Sequence, residues 1–134
     1  MNPHMTHPSS PQKTPNPLTD FNSLPKWMVN NLKEKKIHKP TDVQAATIPA
    51  LTANKDLLIT AATGSGKTIA YLAPIISALS ITKKASLVIV PTRELAKQIE
   101  HEAKWLAGKQ SPLNIVALIG GAPFHMQKRL LKQK

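Results

Sequence analysis

The chain of 134 residues contains no cysteine. Disulfides and thiolate metal sites are therefore excluded, which fits a reducing cytoplasm. Acidic residues are also scarce: 7 Asp and Glu stand against 18 Lys and Arg, a formal charge of +11. Such an imbalance favours a polyanionic partner such as nucleic acid, although a charged surface also serves solubility. Beyond Glu102 there is no carboxylate side chain at all. No apolar run approaches the roughly 20 residues that span a bilayer, and the N-terminus lacks the apolar core of a secretory signal. The expectation is a soluble cytoplasmic protein with no membrane attachment and room for a single core.

Proline is concentrated at the start. Pro3, Pro8, Pro11, Pro15 and Pro17 lie among Ser, Thr, Asn and His, and such a segment buries too little apolar surface to offset its ordering entropy. Residues 1–20 are expected to form a disordered tail, with His4 and His7 carrying no metal site. A helical pattern begins near Pro25, with Trp27, Met28, Leu32 and Ile37 on one face and Lys33, Lys35, Lys36 and Lys39 at its far end. Pro40 breaks it and Thr41 caps a second helix, which runs to about Leu51 and should kink or end early at Pro49. Asn54 suits a left-handed C-cap. Apolar runs at 56–60, 86–90 and 114–119 read as buried strands. They alternate with helices over about 68–79, 93–106 and from about Pro123 onward. That order implies an α/β domain, a parallel sheet flanked by helices, with its ligand at the C-terminal strand edge. Trp105, Tyr71 and Phe124 are expected in the core.

At that edge, residues 61–68 read Ala-Ala-Thr-Gly-Ser-Gly-Lys-Thr. Gly64, Ser65 and Gly66 allow the backbone to curl so that successive N–H groups face one anion. Lys67 adds a positive charge for the β/γ-phosphates, and the Thr68 hydroxyl is placed to ligate Mg²⁺. A helix begins at the same point, so its dipole faces the same phosphates. The loop is suited to a nucleoside triphosphate.

Ala61 stands where the common phosphate-loop pattern has glycine, and with the Thr-Gly-Ser-Gly-Lys-Thr that ends the loop it resembles motif I of the DEAD-box RNA helicases. Pro91-Thr-Arg-Glu-Leu-Ala96 matches motif Ia of that family, Pro40-Thr-Asp-Val-Gln44 resembles the end of its Q motif, and Gly120-Gly121 its GG motif. The resemblance covers about residues 21–134 and implies an incomplete RecA-like phosphate-loop domain. It implies ATP and Mg²⁺ as ligands and RNA as partner. For ATP it points to Gln44 at the adenine edge, supported by Thr41, and to Ala62, Thr63, Gly64, Ser65, Gly66, Lys67 and Thr68 at the phosphates, with Thr68 also at the metal. Phe21 is the candidate for stacking on the base, with Trp27 a distant alternative and a plain core role for Phe21 also open. Lys36 and Ile37 depart from the family, which commonly has Gly and an aromatic there. For RNA the resemblance points to Pro91, Thr92, Arg93, Gly120 and Gly121.

Family members hydrolyse ATP with carboxylates from a later Asp-Glu-Ala-Asp motif and unwind RNA by closing a second domain on the first. Neither is present in this sequence. The expectation is therefore a helicase fragment, truncated product or incomplete gene model that binds ATP and RNA and is not catalytic alone. The alternative is a non-catalytic ATP- and RNA-binding protein that modulates a full-length helicase.

Overall fold

The computed structural model describes residues 15–133; His4 and His7 lie outside them. Five helices follow in order: α1 (Lys26–Glu34), α2 (Asp42–Thr52), α3 (Lys67–Ile81), α4 (Arg93–Ala107) and α5 (Phe124–Leu131). Helix α3 packs between α2 and α4, and α1 lies across α4. The core is where these faces meet. Met28 and Leu32 of α1, Ile48 of α2, Leu72, Ala73 and Ile76 of α3, and Ile99, Ala103 and Leu106 of α4 form it. Each contribution follows the three- and four-residue spacing of one helix face. Helix α4 shows this plainly, with Ile99, Ala103 and Leu106 inward and Lys97, Gln98, His101 and Lys104 exposed.

Trp27 departs from the expected inner face and is 37% exposed. Met28 and Leu32, four apart, fill that face, and the preceding residue is turned about 100° away from it. Phe124 is likewise exposed, because α5 buries none of its residues. Trp105 and Tyr71 pack against the edge of the core, and the Lys35 ammonium lies 5.7 Å from the Trp105 ring centroid.

Pro49 does not end α2, which continues to Thr52. A proline within a helix leaves the carbonyl four residues earlier without its amide partner. Here that carbonyl belongs to Ala45, and the Leu18 N–H donates to it at 2.9 Å. The upstream segment thus satisfies the group that Pro49 orphans, and Leu18 packs against the core. Docking of the chain starts ahead of Phe21, the residue expected to begin the domain.

Among the described residues there is no strand. The expected runs around 56–60, 86–90 and 114–119 are present as segments without a backbone ladder. Their alternation survives in one case: Leu87 and Ile89 are 79% and 85% exposed, whereas Val88 is 37% exposed and Val90 packs against the core. Val90 thus packs against the core while the other apolar side chains of that segment face water, so one-sided covering is reached only at its end.

Two non-glycine residues take left-handed backbone, Lys36 at φ 61 and Asn54 at φ 58. Both close helices with the same pair of bonds. Lys36 N–H donates to Lys33 O and Ile37 N–H to Leu32 O; Asn54 N–H donates to Leu51 O and Lys55 N–H to Ala50 O. These are Schellman caps, which favour Gly or Asn at the left-handed position. Asn54 meets that preference as expected, and Lys36 does not. Lys36→Gly should raise stability by about 1 kcal/mol by relieving the Cβ clash, and Lys36→Val should lower it. Urea unfolding of the two variants against the parent chain measures both signs.

Candidate functional site

Helices α2 and α4 begin on threonines whose side chains accept a backbone N–H: Thr41 from Gln44 at 3.5 Å and Thr92 from Leu95 at 3.2 Å. Helix α3 begins on Gly66 with no side-chain cap. Its first-turn amides lack intrahelical partners, and nothing from a side chain takes their place. An anion is the natural partner for such an end.

The α2 cap also shapes that end. Gln44 Oε1 accepts the Thr41 N–H at 3.1 Å, completing a reciprocal capping box. The other half of each side chain reaches the phosphate loop. The Thr41 hydroxyl donates to Ser65 O at 2.8 Å, and Gln44 Nε2 donates to Gly66 O at 3.1 Å. Because a trans peptide sets its C=O and N–H on opposite sides, holding the Ser65 and Gly66 carbonyls against α2 turns the N–H groups of Gly66 and Lys67 the other way. The capping box therefore aims the loop's donors.

Gly66 is required for two reasons. Its φ is 88, and a Cβ there would collide with Gln44 Nε2 and lie 3.2 Å from Thr41 Oγ1. Lys67 Nζ folds back onto the loop, donating to Ala61 O at 2.5 Å and Ala62 O at 2.7 Å. It places positive charge at the loop and holds the turn closed. Ser65 Oγ is buried in the same loop without a hydrogen-bond partner. Thr68 lies in the first turn of α3. Burial pushes the nearby Tyr71 phenol above its ordinary pKa, a hydrogen bond with the Thr68 side chain opposes the rise, and the Glu102 carboxylate adds to it.

The adenine candidates are differently placed. Gln44 is 2% exposed and spends its amide on Thr41 and Gly66. Phe21 is 3% exposed and packs within the core. Trp27, its alternative, is an exposed α1 residue.

A second cluster forms where α4 starts. Arg93 is exposed, and its guanidinium lies over the Gly120-Gly121 turn. A Cβ at Gly121 would sit 2.9 Å from Arg93 Nη1, and one at Gly120 3.4 Å from Nη2. Gly121 also has φ 85. The structure thus brings together two of the sequence-predicted nucleic-acid elements, and Pro91 and Thr92 frame them as the exposed lead into α4. Among the described residues the Lys104–Glu100 pair is the single ion pair, and Arg93 makes none.

Sequence reasoning missed Gln127. Its side chain makes three hydrogen bonds to the backbone of the 119–122 turn. A glutamine six residues after Gly121 carries no signal in a single sequence beyond its capacity to donate and accept at once.

Among the described residues, no group of three or more His, Cys, Asp or Glu could hold a metal ion, and no helix is long and apolar enough to cross a membrane. Thr68 alone could supply one ligand to a metal already carried by phosphates.

A family model, DEAD/DEAH box helicase, matches residues 41–134. The chain is 40% identical over 126 residues to the human protein named "Probable ATP-dependent RNA helicase DDX59", covering 91% of this chain and 20% of that one. It thus spans about a fifth of that relative's length. Among solved structures it is similar to a DEAD box protein from Methanococcus jannaschii, with TM-score 0.77, 30% identity, and coverage of 86% of this chain and 32% of that chain. It is also similar to the RNA helicase Prp28 from Chaetomium thermophilum bound to ADP, with TM-score 0.75, 32% identity, and coverage of 87% and 30%.

The braced loop makes a direct prediction. Gly66→Ala should destabilise the chain by about 2 kcal/mol or more and break the Gln44 contact. Thermal unfolding and the loss of Gln44 side-chain amide signals from their parent positions in NMR spectra measure the two effects.

Proposed function

The chain belongs to the DEAD/DEAH box helicase family, and from that premise we propose that it binds ATP on the 61–68 loop and RNA phosphates at Arg93 and the Gly120-Gly121 turn. The observation that carries the nucleotide half is the uncapped start of α3, with its carbonyls drawn away by Thr41 and Gln44. A β- or γ-phosphate would take the free amides and draw Lys67 Nζ from the Ala61 and Ala62 carbonyls. The backbone of Ala62, Thr63, Gly64 and Ser65 would wrap the phosphates, as the resemblance implies. Mg²⁺ would arrive with the nucleotide and be met by Thr68; it would neutralise phosphate charge there.

Adenine selection is proposed through Gln44, whose amide keeps one N–H and one lone pair beyond its two protein contacts. Phe21 enters the same proposal as a base-stacking residue only on moving out of its buried place. The parallel sheet belongs to the proposal too: the runs near 56–60, 86–90 and 114–119 would pair as strands of a RecA-like domain. The ADP-bound Prp28 structure supports the nucleotide reading by similarity.

Hydrolysis is a different matter. Phosphoryl transfer to water needs a carboxylate to hold the metal and a group to place the water. The described residues offer Thr68 but no acidic cluster. We propose that they bind nucleotide and RNA without turning ATP over by themselves, and that unwinding requires the carboxylates and second domain of a longer helicase.

Two measurements test this reading. Lys67→Ala should weaken ATP binding at least about tenfold while the fold persists; calorimetric titration giving an unchanged affinity would remove Lys67 from the phosphate site. RNA binding should weaken steeply with salt as counterions are released, and Arg93→Ala should reduce the logarithmic slope by about 1. A salt-insensitive affinity would remove the phosphate contacts.

A further inference from the structure

We infer that Gln127 is the positioning residue that holds the Gly120-Gly121 turn open as an anion nest beside Arg93, an inference that rests on the proposed RNA reading. Gln127 Oε1 accepts the Ile119 N–H at 2.8 Å. Its Nε2 donates to Ile119 O at 3.0 Å and to Ala122 O at 3.1 Å. One side chain therefore ties both ends of the turn and brackets the two glycines between them.

The consequence for the glycines follows from what the bonds leave over. Both backbone groups of Ile119 are used, and the Ala122 carbonyl is used. Among the described residues the N–H groups of Gly120 and Gly121 have no protein acceptor. Successive free N–H groups at a turn with a left-handed residue form a concave anion site, and Gly121 supplies that residue with φ 85. The Arg93 guanidinium lies on the same turn. Two backbone donors without a protein acceptor and a guanidinium outside any ion pair thus lie on one turn, the combination that would hold one phosphate.

Among the described residues no other side chain hydrogen-bonds to this turn. Helix α5 buries none of its residues, so core packing does not fix it. Its other polar anchor is Asn114 Nδ2, which donates to Leu130 O at 2.8 Å at the far end of the helix. Gln127 is half-buried, and its planar amide fixes both donor and acceptor directions at once. Methionine has the same length and none of the bonds.

The test uses the chain of 134 residues as Gln127→Met, with Arg93→Ala and Asn114→Ala alongside. A fluorescent single-stranded oligouridylate reports RNA affinity, ADP titration reports the nucleotide loop, and hydrogen exchange of the Ile119 amide reports the anchor. Because α5 contributes nothing to the core, Gln127→Met should keep the fold and its ADP affinity. It should lose Ile119 protection and bind RNA about tenfold more weakly, while Asn114→Ala should change RNA affinity less than twofold. Parent-like RNA affinity in Gln127→Met, or an Ile119 amide still protected, would overturn the inference. An equal loss in Asn114→Ala would also overturn it, by showing that only α5 docking matters. If Arg93→Ala binds RNA as the parent does, the RNA reading itself fails and the positioning role falls with it. Should Gln127→Met not fold, Gln127→Asn, which is too short to bridge the turn, takes its place. The same two losses are then expected, and parent-like RNA affinity or Ile119 protection again overturns the inference.

Discussion

The contact between the α2 capping box and the phosphate loop is the constraint on which the site depends. A capping box ordinarily serves one helix end. Here Thr41 and Gln44 use their remaining hydrogen-bonding capacity on Ser65 O and Gly66 O. Those two bonds decide which way two peptide planes face, and so which groups of the loop look outward. The left-handed Gly66, the close approach of Gln44 and the uncapped start of α3 all belong to that one arrangement. Lys67 then balances the loop from the other side by holding the Ala61 and Ala62 carbonyls.

The same economy of side-chain amides runs through the molecule. Asn31 Nδ2 donates to Leu106 O and ties α1 to the end of α4. Gln127 closes the 119–122 turn, and the Leu18 N–H takes the carbonyl that Pro49 leaves free. Apolar packing is concentrated between α1, α2, α3 and α4. Where that packing is thin, polar side chains and single backbone bonds fix the geometry. Both proposed binding regions lie in such places, at helix starts with exposed backbone donors. Exposed, well-oriented donors are what phosphate recognition requires.

How much of this was legible in the sequence depends on the range of the interaction. The helices, the Thr41 cap and the left-handed Asn54 follow from patterns a few residues long, and the structure has all of them. The 61–68 pattern is likewise local, and the structure sets an uncapped helix start there. Of the kink or early end expected at Pro49, the early end did not occur, because the freed carbonyl is met by Leu18, far away in sequence. Phe124 was expected inside on its hydrophobicity, but burial depends on a neighbouring surface that α5 does not have. The runs at 56–60, 86–90 and 114–119 have strand character, yet pairing is a property of neighbours and no ladder forms among the described residues. Gln127 was invisible for a related reason: its partners are backbone atoms, which carry no residue-specific mark.

Gln44 has a structural task at the 61–68 loop besides its proposed reading of adenine, and ligands without a base separate the two. The most direct measurement compares ADP with inorganic tripolyphosphate on the parent chain and on Gln44→Met, which keeps the bulk and loses the amide. If the amide aims the loop's donors, both ligands should bind more weakly by a similar factor. Tripolyphosphate affinity unchanged in Gln44→Met, with only ADP affected, would contradict that aiming role.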